Sequence, residues 1–296
     1  MNAVSVRSRP GALSVARDYI SLLKLRVVVL LDATAVGVML PAAHGHPGVI
    51  AVAAVFIGIT CAAGGANAIN MWFDRDIDAE MTRTRRRPLP AGRIPPWHAL
   101  TLGIGLNVVA FAVLWTGANL LAALLALTGT LIYVFVYTIW LKRSTPQNIV
   151  IGGAAGAVPP LVGWAAATGR LDLTALALFG VVFFWTPPHF WALAQMIKND
   201  YARANVPMLP VVAGERSTKR QSVVYAVLTL GVSLVPFFTG SAGAVYLAGA
   251  FVLGAGLVGI SVLDLQGRHW TRRLWTYSMV YLALLFLLFA VSPFLP

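Results

Sequence analysis

Apolar residues in this 296-residue chain fall into nine long blocks separated by short polar breaks. The blocks run roughly over 22–41, 49–70, 98–116, 120–140, 148–168, 173–194, 222–240, 244–264 and 274–293. A helix needs about 20 mainly apolar residues to cross a hydrocarbon core, and each block meets or approaches that length. The pattern predicts an all-α, polytopic membrane protein of nine transmembrane helices bundled around a central cavity. Small residues crowd several blocks, notably Gly64, Gly65, Gly152, Gly153, Gly156 and Gly163. Such positions let helix backbones approach closely in a bilayer. No short repeat or low-complexity stretch stands out. Residues 1–21 read as a tail and 22–296 as one intramembrane domain.

Composition agrees and removes other classes. The chain is 58% hydrophobic and 11% charged, with a mean hydropathy of +0.78, which no soluble domain of this size matches. The net charge of +12 would hint at nucleic acid in a soluble protein. Its placement reports topology instead, and no nucleic-acid partner is expected. Basic residues lie in the tail (Arg7, Arg9, Arg17, Lys24, Arg26), in 75–93, at Lys142 and Arg143, in 198–220 and in 268–273. The alternate loops 41–48, 116–119, 168–172 and 239–243 carry Arg170 and no other Lys or Arg. The positive-inside rule places the N-terminus in the cytoplasm and, with nine spans, the C-terminus outside. The tail lacks an early apolar core with a small-residue cleavage site, so it does not read as a signal peptide. With no organelle transit pattern, the expected location is a bacterial inner (plasma) membrane, with the active site facing the cytoplasm. The one cysteine, Cys61, gives no disulfide framework and reads as packing.

Four constellations carry chemistry. Asn70, Asp74 and Asp78 are spaced four apart where an apolar block ends, so they share one helix face, with Asn67 on the same stripe. Oxygen donors in that arrangement suit Mg²⁺, which takes one or two carboxylates and completes its shell with substrate phosphates. Asp76 points away on the helical wheel, toward solvent or Arg75, and Glu80 reads the same way. Next come Arg83, Arg85, Arg86, Arg87 and Arg93, either a lipid-facing cluster or a set of forked phosphate donors. The third group is Lys142, Arg143 and Asn148. Lys142 is placed to reach a phosphate or to snorkel, and Asn148 needs an interhelical partner or a substrate. The fourth runs Phe183-Phe-Trp185-Thr-Pro187-Pro188-His189-Phe190-Trp191, followed by Lys198 and Asp200. The Pro-Pro pair predicts a helix break inside a span. His189 is an intramembrane ionisable residue, read either as functional or as a hydrogen-bonded core group. The neighbouring aromatics suit a flat ring or plain packing. Asp200 and Lys198 are candidates to complete the metal–phosphate shell from the opposite loop. His44 and His46 read as far-side loop residues, and His98 and His269 as interfacial.

Together these segments resemble the UbiA-type intramembrane prenyltransferases, nine-helix enzymes that join an isoprenoid diphosphate to an aromatic or macrocyclic acceptor. The N-x-x-x-D-x-x-x-D run at Asn70, Asp74 and Asp78 matches that family's first metal–diphosphate motif. Its usual second aspartate pair is missing here. That departure, the Pro-Pro-His-Phe-Trp run, Val206-Pro-Met-Leu-Pro210 and the run from Leu141 to Gly153 resemble the branch that farnesylates protohaem IX. The resemblance implies farnesyl diphosphate and haem B as substrates and haem O as product, with water added. It implies Mg²⁺ at Asn70, Asp74 and Asp78, one ion or two, with Lys198 and Asp200 assisting. Asn67, Arg83, Arg87 and Lys142 would bind diphosphate. His189, Trp185 and Asn148 would face haem, with His189 an axial ligand or an orienter of water. A haem A synthase is the expected downstream partner. The rivals are a prenyltransferase acting on a quinone precursor or chlorophyll-like ring, and a membrane transporter.

Overall fold

The computed structural model describes residues 11–267 and 269–295. Arg7 and Arg9 of the tail, and residue 268, lie outside them. Helices are the regular elements among the described residues, and nine of them are long and apolar enough to cross a membrane. An N-terminal helix, α1 (Ala12–Leu22), precedes the first span within the predicted tail. The first three spans are α2 (Leu25–Ala42), α3 (Val49–Phe73) and, after the short α4 (Arg75–Glu80), α5 (Pro96–Gly117). The fourth is compound: α6 (Leu120–Leu131) passes into a π-helix (Ile132–Leu141) and ends in α7 (Lys142–Ser144). Then come α8 (Asn148–Thr168) and α9 (Leu173–Met196), the short helices α10 (Lys198–Arg203) and α11 (Leu209–Val212), and α12 (Gly214–Ser233). The chain closes with α13 (Val235–Phe238), α14 (Ala244–Leu265) and α15 (Thr271–Val291).

Two expectations need correction. The seventh span runs Gly214–Phe238 and not 222–240. Its first turns are polar, so hydropathy misses them. Thr218 and Ser222 are buried there, and Lys219 is neutralised by Asp264 at 3.1 Å. The Pro187–Pro188 pair does not break its helix: α9 runs continuously through both, as α8 does through Pro159 and Pro160. Neighbouring helices and hydroxyls re-satisfy freed backbone groups at such sites. The carbonyls that the pair frees are those of Phe183 and Phe184; Thr186, just before the pair, donates its hydroxyl to the neighbouring Val182 carbonyl at 2.8 Å.

α3 packs along α5, while α8 packs on α2, α6 and α9. α12, α14 and α15 form a second group against the far side of α9. Close approach is built in: a Cβ added at Gly163 of α8 would sit 1.8 Å from the Ala35 carbonyl oxygen of α2. This packing leaves a cavity of about 410 Å³ among α2, α3, the fourth span, α8 and α9, which opens toward the basic end of the molecule.

Candidate active site

The cavity has two chemistries. Its deep part is walled by Leu31, Ile59, Ala126, Val158 and Pro159, and its mouth by Lys24, Asn67, Asn70, Asp78, Arg83, Arg87 and Lys142. α3 ends at Asp74 and α4 begins at Arg75, yet the helical register continues across the joint. The Asp74 amide donates to the Asn70 carbonyl at 2.9 Å, and the Asp78 amide to the Asp74 carbonyl at 2.8 Å. Asn70, Asp74 and Asp78 therefore stay on one side, all buried.

Each member of this row is held by a base from another segment. Lys24 Nζ donates to Asn70 Oδ1 at 3.0 Å, Lys142 pairs with Asp74, and Arg87 pairs with Asp78 at 2.6 Å. Asn70 Nδ2 in turn donates to Asp74 Oδ2 at 2.7 Å and to Thr138 Oγ1 at 3.0 Å. Asp74 lies just behind the cavity wall. Its Oδ1 is sealed and accepts no hydrogen bond, and an Arg143 guanidinium nitrogen lies 3.7 Å from it.

Lys24 does not belong to the candidate set read from the sequence, where it counts only as a topology charge. It sits at the joint between α1 and α2 with φ 51°, a left-handed conformation uncommon outside glycine. Asn67 Nδ2 bonds the preceding carbonyl of Leu23 at 3.1 Å, which helps fix the kink that turns Lys24 inward. Burial, followed by the nearby charges of Arg87 and Lys142, pushes its ammonium pKa down to about 7.

The π-helix is the second unforeseen feature. Its i to i−5 spacing brings Tyr133 and Thr138 into register, with the Thr138 hydroxyl donating to the Tyr133 carbonyl at 2.8 Å. Tyr133 and Tyr137 stack with centroids 5.6 Å apart, and both line the cavity. Tyr137 fits because position 152 is glycine: a Cβ there would lie 2.4 Å from the ring. π-helical segments are frequent at functional sites, but nothing in hydropathy distinguishes this one from an α-helix.

Other candidates fall elsewhere. Asp76 is exposed and makes two 2.7 Å hydrogen bonds with Arg143, which hold its carboxyl down near 2; the expected partner, Arg75, instead donates to the Trp72 carbonyl. Glu80 is exposed. Lys198 and Asp200 do not line the cavity. Asp200 pairs with Arg203, which also bonds Thr82 at 2.6 Å, so this cluster clasps the two basic-end loops together. From that loop it is Tyr201 that reaches the cavity. Trp185 and His189 face α15, on a side of α9 adjacent to the cavity face. Asn148 is fully buried, and its amide makes no hydrogen bond among the described residues.

The mouth carries four cations (Lys24, Arg83, Arg87 and Lys142) against two carboxylates, an excess that suits a multiply charged anion. Its oxygen donors suit a hard divalent cation. Among the described residues no three His, Cys, Asp or Glu side chains cluster to hold one, so a metal here needs ligands from the substrate.

Comparisons with known proteins show the family and the fold. The UbiA prenyltransferase family matches residues 30–282. A protoheme IX farnesyltransferase of Symbiobacterium thermophilum is 53% identical over 285 residues, 95% of each chain. A solved digeranylgeranylglyceryl phosphate synthase shares the fold with a TM-score of 0.79 at 18% identity, covering 95% of this chain and 99% of its own. A UbiA homologue from Archaeoglobus fulgidus bound to DMAPP and Mg²⁺ gives 0.69 at 16% identity, covering 93% and 99%.

Proposed function

The chain belongs to the UbiA prenyltransferase family, and we propose that it transfers farnesyl from farnesyl diphosphate to a vinyl group of haem B. The products are diphosphate and, after water adds, the hydroxyethylfarnesyl porphyrin haem O. Residues 22–296 act as one domain. The basic loops at this end, by the positive-inside rule, support a mouth on the cytoplasmic face of an inner membrane. The observation that carries the reading is the two-part cavity: a cationic mouth with two buried acids, continuous with an apolar pocket shaped for a hydrocarbon tail.

The bases at the mouth act as placeholders. When the diphosphate arrives, Lys24, Lys142 and Arg87 exchange Asn70, Asp74 and Asp78 for phosphate oxygens. That exchange frees Asn70 Oδ1 and the two carboxylates, whose sealed Asp74 Oδ1 already lacks a partner. The freed oxygens fit Mg²⁺ completed by the diphosphate itself. Bound there, the metal offsets negative charge on the leaving group. Arg83, Arg87, Lys142 and Lys24 stabilise the charge that grows as the C1–O bond breaks. Tyr133, Tyr137 and the apolar wall keep bulk water from the allylic cation. The vinyl group attacks C1. The resulting porphyrin-stabilised cation takes up water and loses a proton.

The test offers farnesyl diphosphate, Mg²⁺ and either haem B or a hydroxybenzoate to the protein in lipid nanodiscs and reads products by mass. Haem gaining one farnesyl group and one hydroxyl supports the reading. Prenylated hydroxybenzoate with no haem product overturns it.

A further inference from the structure

A shallow groove on the outer side of α5, beside α1, takes no part in the chemistry above. Tyr19 of α1 closes its basic end, and His98, Leu102, Gly105, Leu106 and Val109 of α5 line its length. These α5 positions recur every three or four residues, so they form one stripe along the helix. From His98 to Val109 a helix rises about 16 Å, close to one leaflet of a hydrocarbon core about 30 Å thick. The groove thus runs from the basic interface toward the middle of the bilayer.

Its polarity changes along that path. At the basic end the Tyr19 hydroxyl is hydrogen-bonded to His98 Nδ1, and the two rings stack at 6.1 Å. His98 Nε2 has no partner among the described residues. Thr101, also on the stripe, donates its hydroxyl to the Trp97 carbonyl of its own helix at 3.0 Å. Below it the lining is apolar, and Val109 is exposed together with the neighbouring Ile104 and Val108. The floor is empty at Gly105, where an added Cβ would meet nothing within 4 Å.

Positive charge gathers at the polar end. Arg93 forks onto Asp18, the residue before Tyr19, at 2.8 and 3.0 Å, and also donates to the Arg86 carbonyl at 3.2 Å. Arg17, Arg86 and Arg93 therefore share one corner with a single acid. Arg93 answers that acid, while Arg17 and Arg86 are exposed and have no ion-pair partner among the described residues. Two unanswered guanidiniums above a leaflet-deep apolar trough match a phospholipid with an anionic headgroup, since arginine forks suit phosphate oxygens.

We propose that this groove binds one anionic phospholipid, with its phosphate against Arg17, Arg86 and His98 and one acyl chain along 102–109. The bound lipid clamps α1. Tyr19 lies four residues before Leu23, whose carbonyl accepts from Asn67. Leu22, between them, is buried in a cluster with Met71 of α3 and Ala99 of α5. Holding Tyr19 therefore steadies the turn that presents Lys24 to the mouth of the cavity.

The experiment titrates phosphatidylglycerol or phosphatidylcholine with identical acyl chains into delipidated full-length protein in neutral detergent, and counts bound lipid by native mass spectrometry. Native protein is expected to hold one phosphatidylglycerol at least tenfold more tightly than phosphatidylcholine. Gly105→Trp fills the trough and should abolish that tight site. Arg86→Gln should lower the preference about fivefold, the share expected of one arginine at an anionic lipid surface. Hydrogen–deuterium exchange over 12–23 should slow when phosphatidylglycerol is added to native protein, and not in Gly105→Trp. Equal affinity for the two lipids overturns the anionic site. Tight phosphatidylglycerol binding that survives in Gly105→Trp overturns its placement, and exchange that ignores bound lipid overturns the clamp. If Gly105→Trp does not fold, the surface double variant Arg17→Gln, Arg86→Gln carries the test: a lost preference supports the proposal and an unchanged one overturns it.

Discussion

Lys24 offers a quantitative test of the placeholder mechanism. In the free protein its pKa is about 7, because the ammonium is buried and faces Arg87 and Lys142. A bound diphosphate supplies the missing negative charge and should return the pKa toward the ordinary lysine value of about 10.4. Between those two values, binding takes up a proton, so affinity falls as pH rises. With half of Lys24 charged at pH 7, the linkage relation gives about fivefold weaker binding at pH 8 and about fiftyfold at pH 9. The diphosphate adds little ionisation of its own over the upper part of that range. Isothermal titration of farnesyl diphosphate at fixed Mg²⁺, in two buffers of different ionisation heat, reads both affinity and proton uptake. Lys24→Arg keeps a charge that does not titrate here, so its profile should be flat and its uptake near zero. Lys24→Met should bind weakly and also show a flat profile. A native affinity that does not change from pH 7 to 9, or uptake that persists in Lys24→Arg, would refute the reasoning.

Three further outcomes follow from the same geometry. Asp78→Asn removes a buried carboxylate paired with Arg87 and should lower kcat/KM by about a hundredfold or more, whereas Asp200→Asn, away from the cavity, should keep most activity; steady-state turnover separates them. Lys142→Met leaves Asp74 without its closest cation and should reduce kcat by about a hundredfold while Arg143→Ala, whose main partner is the exposed Asp76, changes it little. Gly163→Ala drives a methyl group into the Ala35 carbonyl and should cost about 1–3 kcal/mol, seen as a lower unfolding temperature in detergent, while Gly259→Ala meets nothing within 4 Å and should be neutral or stabilising.

The nine spans were legible because transmembrane segments must satisfy their backbone internally and stay apolar over most of their length. The acidic row was legible for a similar reason: Asn70, Asp74 and Asp78 are costly at the end of an apolar block, and four-residue spacing survives the change from α3 to α4. What hydropathy hid depends on backbone geometry or on tertiary partners. The left-handed turn at Lys24 makes a site residue of what resembles a topology charge. The π-helix aligns Tyr133 with Thr138 without any change in composition. The start of the seventh span is polar, and one of its charges, Lys219, is neutralised by Asp264, remote in sequence. Asp76 shows the same limit, since its partner Arg143 arrives from another helix. The resemblance placed Lys198 and Asp200 beside the metal, but the folded loop turns Tyr201 inward and engages Asp200 with Arg203.

The central claim joins a reaction to a metal-and-diphosphate mouth, and one assay addresses both. Membranes carrying the native protein or Asp74→Ala are given haem B, farnesyl diphosphate and a Mg²⁺ series, with unfolding temperatures measured in parallel. The account predicts Mg²⁺-dependent haem O from the native protein and none detectable from folded Asp74→Ala. Equal haem O from both proteins would contradict the role given to the acidic row, and no haem O from folded native protein at any Mg²⁺ concentration would contradict the reaction itself.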